Sequence, residues 1–105
     1  MPTEPETPST ELVQADLDRL WETIDTANAA SPRAPIQFDT VIQNVVAFAA
    51  AYSSANAWYA AGYASYMHPM RMPDEIIRQQ TVFYLTKAPT LRPGFALPLL
   101  YLAYH

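Results

Sequence analysis

The residues able to do chemistry in this 105-residue chain are few and poorly grouped. Met67-His68-Pro69-Met70-Arg71-Met72 sets one imidazole among three thioethers, a donor set soft enough for copper(I). One histidine without a second cluster falls short of a site. Closure would need His105 or another chain, so the stretch reads first as a helix-ending loop whose methionines fill gaps between packed surfaces. Asp16, Asp18, Glu22 and Asp25 are carboxylates, with Asp18 and Glu22 one helical turn apart. General acid or base work needs a desolvated carboxyl with a raised pKa. These four lie opposite an apolar stripe, which predicts a solvated face. Ser53 and Ser54 have no histidine at helix spacing, since His68 is about four turns away. Gly62 and Gly94 are the only glycines, so there is no glycine-rich phosphate loop. There is no cysteine, which excludes disulfides and thiolate chemistry. No catalytic, cofactor-binding or metal-binding residue is assigned, and an independent enzyme is not expected.

Composition points instead to contact with other surfaces. Half of the residues are hydrophobic and 15% are charged, against ~25% in ordinary globular proteins. The net charge is -4, with one lysine, Lys87, and five scattered arginines. Nucleic acid requires a clustered basic face, so it is not an expected partner. The acidic, proline-rich start lacks the basic and apolar parts of a secretory signal, and a cytoplasmic protein is expected.

The elements that must position these residues are read as helices within one domain spanning residues 11–92. Residues 1–10 read as a flexible acidic arm and residues 93–105 as an apolar tail, either extended or a short helix from Pro98. The first helix is expected at about 11–29, where Val13, Leu17, Leu20 and Ile24 share one face and Ser9 or Thr10 can cap. Ser31-Pro32-Arg33-Ala34-Pro35 interrupts it. The second is expected from about Thr40, with Gln43 completing a capping box, to Met67. That would be one long central helix of ~40 Å. The third is expected at about 73–87, with Pro73 in its first turn and Pro89 as a stop, although Thr81–Thr86 could also form a strand. The predicted fold is therefore all-α, small, with one long central helix and extended arms.

That central helix carries no Asp, Glu, Lys or Arg between Asp39 and Arg71. On a helical wheel Val41, Val45, Phe48, Tyr52, Tyr59, Tyr63 and Tyr66 fall in a ~60° sector. Ala50, Ser54, Ala57, Ala61 and Ala64 lie on the opposite side, where small residues let a second backbone approach. A helix uncharged all round should be buried all round, and so short a chain has little to bury it with. The interface expected is thus Val45, Phe48, Tyr52, Tyr59, Tyr63 and Tyr66 against the small face, with Leu99, Leu100, Tyr101 and Leu102 of the tail clasping a neighbour. This describes a non-catalytic structural subunit that binds copies of itself, or a hetero-subunit, in a filament, shell or layer. Acidic residues concentrate in the N-terminal half and Arg71, Arg78 and Arg92 in the C-terminal half, which suits head-to-tail contact. The alternative is an accessory subunit of a membrane complex, with residues 41–67 in the bilayer. Gln43, Asn44, Ser53, Ser54 and Asn56 make that span polar at its centre. A weaker alternative is a module that holds an apolar ligand or pigment.

Overall fold

The computed structural model describes the backbone of residues 10–105 and the side chains from Val13 onward. The expected arm at 1–10 lies outside the described residues except for Thr10, and so does the Ser9 or Thr10 cap. Among the described residues the fold is all helical, with α1 (Thr10–Ala29), α2 (Pro35–Tyr52), α3 (Ala55–Met67), α4 (Glu75–Leu91) and α5 (Ala96–Tyr104).

The single long central helix is not formed. It is replaced by a hairpin of α2 and α3, bent at Ser53 and Ser54. Ser53 adopts the left-handed conformation, φ 48° and ψ 44°, and returns its N–H to the Ala49 carbonyl. Ser54 then caps α3, its hydroxyl accepting from the Ala57 amide at 3.1 Å. The reason is burial. A straight helix would leave both faces bare, whereas the hairpin sets Ala60, Ala61 and Ala64 into one cluster with Phe38, Val41, Ile42 and Val45. Phe38, Val45 and Ile24 are fully buried there, each contributing ~1.5–3 kcal/mol over exposure. The fold-back also brings the end of α3 beside the start of α2, where His68 meets Asp39.

Three other boundaries differ from expectation. α2 begins at Pro35, because proline fits the first helical turn as readily as it ends a helix. Thr40 does not cap; its hydroxyl donates to the Ile36 carbonyl from inside the helix. α4 begins after Asp74, whose carboxylate accepts from the Ile76 and Ile77 amides, and it runs through Pro89 to Leu91. Thr81–Thr86 is helical, since Thr81 and Leu85 must turn inward together onto α3. The tail is helical too, as α5, entered through Gly94 at φ 87°.

α3 lies at the centre, packed by each of the other four helices. Gly62 permits its closest approach to α4. A Cβ there would sit 2.5 Å from Leu85 Cδ2 and 3.0 Å from the Leu85 backbone nitrogen. α2 and α4 flank α3 on different sides, and no Cα of one comes within 8 Å of the other. That gap forms a furrow along one side of α3.

Candidate interaction surface

Two concavities lie in the furrow between α2 and α4. One, of about 520 Å³, is floored by Trp58 and walled by Ala49, Ala50, Ser53, Phe83, Thr86, Lys87, Thr90 and Leu91. The other, of about 510 Å³, is bounded by Asp39, Ile42, Gln43, Val46, Ala47, Gln80 and Tyr84. Among the described residues, Asp39 and Lys87 are the only charged ones in either lining. The Lys87 ammonium lies 4.8 Å from the Trp58 ring centre and 5.4 Å from that of Phe83. Trp58 stacks on Tyr84, with ring centres 5.8 Å apart. Phe83 stands at the lip, 55% exposed.

The second feature is the outer face of α5. Pro98 is buried, and Tyr101 and Leu102 are half-buried against the chain. Leu97, Leu99, Leu100 and Tyr104 are exposed, Leu100 at 47% and Tyr104 at 67%. The helix carries no charged side chain. It is apolar all round yet covered on one side only, where such helices normally have partners on every side.

The predicted interface residues separate into four groups. Ala57, Ala61, Ala64 and Val45 are fully buried by the chain's own helices, and Ser54 is the cap of α3. Phe48 and Tyr52 pair at 4.7 Å near the end of α2, no longer in line with the α3 tyrosines because the hairpin breaks the wheel. Tyr59, Tyr63 and Tyr66 do share a face, but α1 and α5 cover much of it. Trp21 lies 5.7 Å from Tyr59 and 5.5 Å from Tyr63, and Tyr101 lies 5.2–6.0 Å from all three. Burial, then the neighbouring Tyr101 hydroxyl, pushes the Tyr59 phenol up to about 12. Burial, Tyr101 and Asp25 raise Tyr63 as well. Ala50, Leu99 and Leu100 remain outward.

The loop after α3 is structural. His68 is buried; its Nδ1 accepts from the Met70 amide at 3.0 Å, so Nε2 carries the proton and donates to Asp39 at 2.8 Å. Both ring nitrogens are thereby engaged. Arg78 donates to the Arg71 carbonyl at 3.1 Å and also to that of Met72, closing the same loop. Among the described residues no group of three or more His, Cys, Asp or Glu side chains could hold a metal ion. Asp16, Asp18, Glu22 and Asp25 are exposed on α1.

Sequence reasoning missed the furrow. Trp58, Tyr84 and Lys87 line it, and none belongs to either face of the expected straight helix. The one available signal was Phe83 and Lys87 at i, i+4. No protein family, characterised protein or solved structure matches this chain. Among the described residues no helix is long and apolar enough to cross a membrane.

Proposed function

We propose that this chain is a small, non-catalytic structural subunit that associates with copies of itself into a larger assembly such as a filament, shell or layer. The observation that supports it most directly is α5, an uncharged helix with Leu97, Leu99, Leu100 and Tyr104 turned outward. Ile76, Val82 and Phe83 are further exposed apolar side chains on α4. Exposed apolar patches mark interaction sites in soluble proteins. A chain of this size has a modest core, which makes association an effective way to complete burial. The surface put forward for assembly is the outer face of α5 in place of the Ala/Tyr face of one long helix, since the hairpin buries Val45, Ala57, Ala61 and Ala64 within the chain.

The test is the solution mass across a wide concentration range, by size exclusion with light scattering. Growth above the monomer mass with concentration is the expected result. A monomer at every concentration would remove the proposal.

A further inference from the structure

The furrow has the form of a vacant corner in a helical bundle. α2 and α4 run in the same direction: Asp39 and Gln80 border one concavity, Ser53 and Leu91 the other. α3 lies between and beneath them, antiparallel to α2, since His68 at its end meets Asp39. Up-down bundles fill such a position with a fourth helix antiparallel to both flanking ones. Among the described residues neither α1 nor α5 lines it.

We propose that α5 of a second copy seats in this furrow, antiparallel to α2 and α4. This rests on the self-association reading above and names its partner surfaces. Three complementarities carry it. The first is polarity: the exposed face of α5 is Leu97, Leu99, Leu100, Ala103 and Tyr104, and the furrow is lined by apolar, small and uncharged polar side chains between Asp39 and Lys87. The second is length. α5 has nine residues, about 13 Å, and the furrow runs along α2 from Asp39 to Ser53, about 21 Å. The third is the helix dipole. α2 and α4 both end at the Ser53 and Leu91 end, so their C-terminal carbonyls face the amino end of an antiparallel guest. That end of α5 has no side-chain cap.

The geometry also fixes the kind of contact. His105, at the end of α5, shares a concavity with Glu75, Arg78, Gln79 and Val82 of α4, and the furrow is lined by a different set of α4 residues, Gln80, Phe83, Tyr84, Thr86, Lys87, Thr90 and Leu91. At 100° per residue the two sets centre about 120° apart. Donor and acceptor surfaces therefore lie on different faces of the molecule. The contact is heterologous and propagates head to tail.

Leu100→Lys disables the donor helix and Ala50→Glu disables the furrow, both at exposed positions. Each variant alone is expected to remain at the 11.8 kDa monomer mass, with wild-type helical circular dichroism. Mixed, they retain one intact donor and one intact acceptor, so a one-to-one dimer of twice that mass should form and grow no further. Leu97→Lys paired with Ala47→Glu repeats the experiment should either first variant misfold. If wild type assembles but the single variants assemble equally well, the furrow is not the seat, while self-association stands. Monomeric single variants that give no dimer on mixing overturn the head-to-tail contact. A monomeric wild type removes both proposals.

Discussion

Gly62 is the residue on which the packing of α3 against α4 depends most visibly. A methyl group there would meet Leu85 Cγ at 2.6 Å as well as the α4 backbone, so a rotamer change of Leu85 alone does not make room. Alanine would gain ~1 kcal/mol of helix propensity, but overpacking of this kind costs ~1–3 kcal/mol. Gly62→Ala is thus expected to lower the melting temperature, and an unchanged or higher value would show that α4 can move away freely. Tyr59 supplies a second prediction. Its folded phenol titrates at about 12, against 10.0 for an ordinary tyrosine, so the unfolded chain loses that proton first as pH rises. The contribution is complete below pH 10 and is lost progressively as pH climbs toward 12. Tyr59→Phe should flatten the fall of thermal stability over that window. Variant and wild-type profiles that run parallel through it would place the alkaline sensitivity elsewhere.

At the scale of elements, the existence of α1 and its core-facing Leu17 and Ile24 were legible from periodicity alone. The uncharged stretch was legible as helix, and its small face as a site of close approach. The turn at Ser53 was not. Ser-Ser within a helical pattern is weak punctuation, and the energy that bends the chain there comes from Phe38, Val45 and Ala64 meeting at long range. Pro89 misled in the other direction: a proline was read as a stop, yet α4 continues through it to Leu91. The furrow was invisible for the same reason, since its walls, Ala50 of α2 and Lys87 of α4, come to face each other only after two reversals of the chain. The turn itself predicts opposite effects from adjacent residues. Ser53→Gly removes the cost of a left-handed Cβ and should stabilise by up to ~1 kcal/mol. Ser54→Ala removes the cap of α3 and should cost ~1 kcal/mol. Urea midpoints at constant slope measure both, and shifts of the same sign would argue that the hairpin is held by packing rather than by the turn.

For the molecule as a whole, charge and apolar surface are segregated. Asp16, Asp18, Glu22 and Asp25 are exposed on α1, while α5 and part of α4 offer apolar surface elsewhere. An assembly built through the latter has few charges to screen. It is expected to keep its mass as salt rises toward ~1 M, beyond the range where exposed ion pairs act, and to tighten in sulfate. Dissociation by salt would instead implicate the acidic and basic halves in head-to-tail contact. Lys87 gives the furrow one more property. It is the only lysine in the chain, so an amine-directed acylating reagent has a single side-chain target, and that target lies beside Trp58. The speed at which Lys87 is modified therefore becomes a clock for occupancy: fast when the furrow stands open, slow when a helix lies across it, with the change in Trp58 emission marking the same event.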